Sequence, residues 1–364
     1  MNKDLRSKDN NNYGNNSDVC RRIDRGTAID LFKNKSLLEL GKIADGIRKR
    51  KHPGDIVTFI IDRNINYTNI CISECKFCAF YKKYGVSDTN AYVLSKEQIF
   101  DKIRETKELS GTQILLQGGL NPDISIDYYL GLLSDIKEKF DIHIHAFSPP
   151  EIIFIADSNG ITVKETIELL KEAGLDSVPG GGAEILVDRV RKKISPNKIT
   201  SRQWLEVMEE VHIAGMNSSA TMMFGTIETD EDIIEHLFKL RELQDKTGGF
   251  RAFIPWSFQS KYTALNPRGV YGHYYLKVLA ISRIILDNFD NIQASWVTQG
   301  VKMGQTALSF GANDMGSTML EENVVKAAGT ANSAVDEKLM VRLIKDAGFI
   351  PAQRINNYDM IKFY

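Results

Sequence analysis

The chain has 364 residues, 43% of them hydrophobic, and a formal net charge of −1. That length allows two domains or one large barrel with a sizeable core, while a near-zero charge provides no basic field for nucleic acid or an anionic membrane. No run of about 18 apolar residues occurs and cysteine is sparse and clustered, so neither a membrane span nor a disulfide framework is expected.

In chain order, residues 1–18 (with KDNNNYGNNS) are polar and low in complexity and predict a disordered tail. With no apolar signal core there, the expected location is cytoplasmic. Cys20 stands alone in this polar region, away from the other cysteines. Residues 19–55 hold two helical patterns, 28–32 and 37–50, placed to close the bottom of the fold, with the basic run 48–52 as a solvated helix end.

From residue 56 to about 350, apolar strand-length runs alternate with amphipathic helices, the rhythm of parallel β/α units. Strands are expected at 56–61, 113–117, 142–147, just before the glycines at 180–182, 218–224, 251–254, 292–297 and, weakly, 314–319. Capping pairs Ser95/Gln98, Thr162/Glu165 and Thr200/Gln203 start helices ending near 109, 173 and 214. Further helices are expected at 128–140, up to about 246, at 274–288, briefly after Gly300, and at 335–347, with 351–364 left as a C-terminal tail. Eight units make a (β/α)8 TIM-type barrel the natural fold, with six units plus an appended part as the alternative. Such barrels build their active site at the C-terminal strand ends. The cysteines, Gly118-Gly119, Gly180-Gly181-Gly182, Glu184, Glu228 and Trp256 all fall at those ends.

The stretch 62–81, DRNINYTNICISECKFCAFY, carries Cys71, Cys75 and Cys78. Thiolates are soft ligands for iron–sulfur clusters, zinc or copper. A structural site normally closes with four protein ligands, and nothing nearby supplies a fourth: His52 precedes a strand and His143 lies far downstream. A cage one ligand short is built to hold something else, although a zinc knuckle or an electron-transfer cluster is the plainer alternative.

C-x3-C-x2-C with Phe77 before the last cysteine resembles the signature of the radical S-adenosylmethionine (SAM) enzymes. The resemblance implies that Cys71, Cys75 and Cys78 hold three irons of a [4Fe–4S] cluster and that SAM chelates the fourth. It places Phe77, Gly118, Gly119 and Ser148 around the cofactor, Glu184 on its ribose hydroxyls, and Arg191 (or Arg189) on its carboxylate. A plain turn is the structural alternative for the glycine pair, and a solvated basic stretch for the arginines.

His143 and His145 alternate with Ile142 and Ile144, which turns both imidazoles inward. His145, nearer the strand's C-terminal end, is the candidate for moving a proton and His143 for touching substrate, against a buried, satisfied pair with no task. Trp256, Phe258, Gln259, Thr298 and Gln299 would line the mouth and suit a ligand with a flat ring and a sugar, or simply pack the loops.

The segments LLQGGLNP, IHIHAFSPPEI, PGGGAEIL, FIPWSFQ, SWVTQG and FGANDMGSTMLEENVVKAAG resemble the dehypoxanthine futalosine cyclases of menaquinone biosynthesis, near aminofutalosine synthase and the deazaflavin-forming radical enzymes. The resemblance implies dehypoxanthine futalosine as substrate, hydrogen abstraction at C4′ by a 5′-deoxyadenosyl radical, and ring closure onto the benzoate. It also implies an external electron donor such as flavodoxin or ferredoxin. Arg63 is the expected partner of the substrate carboxylate, and His145 and Glu228 are the expected proton acceptors.

Overall fold

The computed structural model describes residues 22–265, 269–330 and 334–364; the tail expected at 1–18 and Cys20 lie outside them. Its strands are β1 (Ile56–Ile60), β2 (Asp62–Asn66), β3 (Ile70–Cys71), β4 (Lys82–Lys83), β5 (Gln113–Gln117), β6 (His143–Ala146), β7 (Ser177–Val178), β8 (Asn217–Phe224), β9 (Phe250–Ser257), β10 (Asn291–Ile292), β11 (Asp314–Ser317), β12 (Ile350–Arg354) and β13 (Met360–Phe363).

Seven strands form one parallel sheet in the order β10-β9-β8-β7-β6-β5-β2. The chain steps through Ile61 from β2 back to β1, which pairs in parallel with β11. β11 meets the far edge of the large sheet through the Gln293–Asp314 bridge and the Ala294 N–H, which donates to the Asp314 carbonyl at 2.8 Å. The ring therefore closes through eight parallel strand positions, with helices outside, and the six-unit alternative falls away.

Residues 351–364, expected as a tail, belong to the sheet. β12 pairs in parallel with the lower half of β1, from Ile56↔Ile350 to Phe59↔Gln353, and β13 returns antiparallel to it. β5 starts only opposite Asp62, so β12 fills the gap beneath it, where Gln353 Nε2 donates to the Ser110 carbonyl at 3.2 Å. The 350–354 run contains Pro351, which argues against a strand from sequence alone.

One other expectation is corrected. The strand expected at 292–297 is two residues long, and Trp296–Gln299 is a helical turn. Trp296 Nε1 donates to the Ser317 carbonyl at 3.1 Å, which draws the indole out of the sheet. After β6 comes a helix for which the sequence reading gave no assignment, Pro149–Asn159, started by the Ser148/Glu151 capping box with proline in its first turn.

Alternation along β2 sends Ile65 and the residue after the strand, Tyr67, outward into the helical layer, and turns Asp62 and Asn64 into the lumen. Polar side chains enter the barrel interior among apolar ones. Asp62, Asn64, Gln113, His145, Ser219, Gln293 and Ser317 face a cavity of about 310 Å³, where an ordinary barrel stacks branched apolar side chains. At its floor, Arg354 holds Asp314 bidentately, Nε–Oδ2 2.6 Å and Nη2–Oδ1 3.0 Å.

Candidate active site

The cysteine loop is braced from three sides. β3 and β4 pair in parallel at Cys71↔Lys83. The Gly119 N–H donates to the Thr68 carbonyl and the Ile72 N–H to Leu120, both at 3.0 Å, which ties the loop to the end of β5. The Lys76 N–H donates to the Ile194 carbonyl at 2.9 Å, at the end of the helix Asp188–Ile194. A Cβ on Gly119 would stand 2.1 Å from the Ile70 carbonyl oxygen and 2.9 Å from Cys71 Cβ. The glycine pair thus lets the strand end and the cysteine loop touch.

Burial pushes the Cys75 thiol up to about 12, with Lys198 opposing and Glu184, Cys78 and Cys71 adding to the rise. Burial also raises Cys78, against the N–H groups of Phe80 and Tyr81. Thiols held this way have no protein cation sufficient to ionise them; a bound metal deprotonates such ligands outright. Among the described residues no three His, Cys, Asp or Glu side chains converge tightly enough to share one metal ion, although the three thiols feel one another's charge. Three thiolates are soft donors of the kind an iron–sulfur cluster takes, each binding a different iron.

Beside the thiols sits a charge network that the sequence reading placed only in part. Glu184, 5% exposed and at φ 39°, accepts from Lys198 Nζ at 2.9 Å and Arg191 Nη1 at 3.4 Å. Burial disfavours the Lys198 ammonium, but Glu184 and Cys75 more than offset it and its pKa is raised. The ammonium lies 5.3 Å from the Phe77 ring centroid, joining the network to the cysteine loop. Gly180, Gly181, Gly182 and Glu184 all face the cavity.

A second buried carboxylate, Glu151, knots three strand ends together. It accepts from Tyr67 Oη at 2.8 Å, the Gly118 N–H at 2.9 Å, the Ser148 N–H at 2.8 Å and Ser148 Oγ at 2.5 Å. Burial raises its pKa, opposed by these donors.

The upper cavity is walled by Trp256, Trp296, Thr298, Met319, Val324 and Val325. Glu322 faces it as well, accepting from Asn64 Nδ2 at 3.0 Å and from the N–H groups of Val324 and Val325. Burial raises the Glu322 pKa. His145 faces the cavity too, and burial, with His143 and Arg354 adding to it, pushes its imidazole down to about 3.

Three thiols thus follow β2, beside a cavity lined by Glu184, whose charge acts on Cys75. Residues 65–240 match the radical SAM superfamily, and 247–363 match the CofH/MqnC C-terminal region. The chain is 46% identical to the cyclic dehypoxanthine futalosine synthase of Halalkalibacterium halodurans, over 94% of this chain and 92% of that one. The chain belongs to the radical SAM superfamily. The synthase of the same name from Streptomyces coelicolor is 43% identical, over 93% and 85% of the two chains. The 5-amino-6-(D-ribitylamino)uracil–L-tyrosine 4-hydroxyphenyl transferase of Methanocaldococcus jannaschii is 41% identical, over 94% and 98%. In fold, the FeFe-hydrogenase maturase HydG from Carboxydothermus hydrogenoformans superposes with a TM-score of 0.72 at 17% identity, over 93% and 78% of the chains. Methylornithine synthase superposes at 0.69 and 18%, over 92% and 95%.

In this radical SAM enzyme the superfamily implies a [4Fe–4S] cluster and SAM, and the three-thiol set with its neighbouring carboxylate and ammonium fits that pair. Several expected contacts lie elsewhere. Arg63 points into the helical layer, with Nη1 2.6 Å from Glu105 Oε2 and 3.2 Å from the Lys102 carbonyl. Its neighbours Asp62 and Asn64 take the lumen. The Arg191 guanidinium is occupied by the carbonyls of Gly182, Ala183 and Ile199 and by Glu184, and Arg189 pairs with Asp232. Lys198 is the cation beside the cysteines; it reads in sequence as one more lysine after a basic helix, and only the 180–184 loop folding over it reveals it.

Ser148 is bound to Glu151, and Gly118 packs on the Tyr67 ring, where a Cβ would come within 2.5 Å. Glu228 turns back onto its own loop, accepting from the N–H groups of Gly225 and Thr226. Gln259 donates to the carbonyls of Ser257, Phe258 and Thr298, and Gln299 to Ser257 Oγ, so both amides tie loops together while Trp256 and Thr298 face the cavity. His143 lies at the lower end of β6, bonded to Ser177 Oγ at 2.7 Å rather than lining the cavity. No helix among the described residues is long and apolar enough to cross a membrane.

Proposed function

We propose that this radical SAM enzyme closes dehypoxanthine futalosine to its cyclic product, a step toward menaquinone. The observation that carries this reading is spatial. The segments PWSFQ, SWVTQG and NDMGSTMLEENVV, distant in sequence, bring Trp256, Trp296, Thr298, Ser317, Met319, Glu322, Val324 and Val325 to the wall of one cavity. It also contains Glu184 and lies next to the cysteine loop.

Cys71, Cys75 and Cys78 would hold the cluster, with Glu184 and Lys198 facing the SAM. When bound, the cluster and SAM supply a carbon-centred radical able to remove an unactivated hydrogen. The chain's own work is positioning and exclusion. Trp256 presents flat apolar surface to an aromatic ring, and Asn64, Glu322 and Thr298 offer hydrogen bonds to sugar hydroxyls. Met319, Val324 and Val325 keep water and stray hydrogen donors from a radical formed there. An electron donor of the flavodoxin or ferredoxin class would reach the cluster from outside the barrel.

The 41% identity to a tyrosine 4-hydroxyphenyl transferase supports a second reading, radical transfer from L-tyrosine to a ribitylaminouracil. One anaerobic assay separates them. Reconstituted protein with SAM and reductant is given either dehypoxanthine futalosine or L-tyrosine with 5-amino-6-(D-ribitylamino)uracil. Cyclised futalosine with 5′-deoxyadenosine supports the cyclase; a coupled tyrosine product, or 5′-deoxyadenosine without cyclised material, rejects it.

A further inference from the structure

Three side chains on neighbouring strands form a chain of hydrogen bonds from the cavity to the outside of the barrel. His145 faces the cavity. Its Nδ1 lies 2.7 Å from Ser177 Oγ, and Ser177 Oγ lies 2.7 Å from His143 Nε2. His143, whose side chain is 29% exposed, presents Nδ1 toward Asp176 Oδ2 at 4.0 Å.

The outward series needs one set of tautomers, with His145 Nε2 unprotonated. Ser219 Oγ, which accepts the Gly180 N–H at 3.0 Å, lies 3.5 Å from that nitrogen and leaves it open to the cavity. The Nε2 of His145 is then the acceptor facing the cavity, and its proton sits on Nδ1 toward Ser177. Ser177 Oγ, accepting that proton, donates its own to His143 Nε2, which leaves the His143 proton on Nδ1 toward Asp176 and solvent. Every donor in the series points outward.

We propose that His145, Ser177 and His143 form an outward proton relay that removes the proton lost when the aromatic ring is restored after cyclisation. This rests on the cyclase reading. The sugar radical carbon bonds to the arene, giving a cyclohexadienyl radical. The aromatic C–H proton passes to His145 Nε2, its electron pair stays in the ring, and the surplus electron leaves to a one-electron acceptor of the iron–sulfur class. In concert, the His145 Nδ1 proton moves to Ser177 Oγ, the Ser177 proton to His143 Nε2, and the His143 Nδ1 proton to water or Asp176. Burial makes His145 a site that passes a proton on rather than keeping it. The charged groups facing the pair are Arg354 toward His145 and Asp176 and Lys137 toward His143. His145 would touch the substrate; Ser177 and His143 act through it.

The test uses Ser177→Ala, Ser177→Thr and His143→Gln. In cofactor-free protein, nitrogen-15 NMR of the histidines is expected to show both His143 and His145 as Nδ1–H tautomers in wild type. In the reconstituted enzyme, Ser177→Ala and His143→Gln should still release 5′-deoxyadenosine but yield cyclised product reduced about tenfold or more, the scale of lost proton transfer. Ser177→Thr should recover product, and free imidazole should restore part of it to His143→Gln, with yield rising toward high pH. An Nε2–H tautomer on His145, or wild-type product partition and pH profile in Ser177→Ala, would overturn the relay. If the wild type itself makes no cyclised product the cyclase reading fails, and the NMR tautomers still judge the relay's polarity on their own.

Discussion

Glu184 and Lys198 sit in a pocket where neither charge can be removed alone without cost. The side chains are 5% and 14% exposed and meet at 2.9 Å, with Arg191 at 3.4 Å on the other carboxylate oxygen. Breaking a buried pair by deleting one partner costs about 3–5 kcal/mol, because the survivor is left uncompensated. Lys198→Met should fall near the lower end, about 3 kcal/mol, since Arg191 still faces the carboxylate. Glu184→Gln should cost about the same, since Lys198 then lies near Arg191 with no anion between them. The double variant removes both charges and should be less destabilised than the sum by about 2–3 kcal/mol. Urea unfolding of the cofactor-free proteins, under conditions where the transition is reversible, measures all four corners of the cycle. Additive single-variant losses would show that the pair is not energetically coupled and would remove the network from the account of the site.

Gly119→Ala should drive the cysteine loop off the end of β5, because the new Cβ meets backbone at 2.1 Å; iron bound after reconstitution should fall by more than half, and full loading would contradict the packing described. Cys75→Ser should abolish the cluster's visible absorption while changing cofactor-free stability by no more than about 1 kcal/mol; retained cyclisation would contradict the ligand assignment. His236 is buried, accepts the Leu186 N–H at 3.0 Å and is pushed down to about 3 by burial, with Lys239 and Arg191 adding to it. Below about pH 6.5 the unfolded chain binds a proton that folded His236 refuses, so stability falls with pH until about 3, by up to ~1.4 kcal/mol per unit. His236→Met should flatten that acid limb by the same slope, and an unchanged limb would refute the shift. Arg63→Met should leave the KM for the cavity's substrate within about twofold, while Asn64→Ala should raise it; the reverse order in steady-state kinetics would return Arg63 to the site.

Much of the barrel was legible because burial writes period into sequence. The run 113–117 is the observed β5, and capping pairs such as Ser95/Gln98 started helices where expected. The alternation that turned His145 inward was equally readable in DRNINY, where Ile65 and Tyr67 share a phase with Arg63 and so assign Arg63 to the helical layer. Guanidinium chemistry outweighed that phase in the sequence reading, and the phase prevailed in the fold. β12 was hidden because its place depends on the gap left by the late start of β5, a fact of stagger and not of composition. Lys198 was hidden for a similar reason: its partner is 14 residues away across a loop whose course no local pattern fixes. Gly118 and Gly119 pack against Tyr67 and Ile70, contacts that no spacing in the sequence announces.

In the proposed function, three thiolates leave one iron open for SAM beside the cavity. The most direct measurement is electron paramagnetic resonance of the anaerobically reduced, reconstituted protein before and after SAM is added. A four-iron signal that changes g-values and shape on addition is the predicted result. A signal indifferent to SAM, or a protein that loads only zinc, would contradict the account.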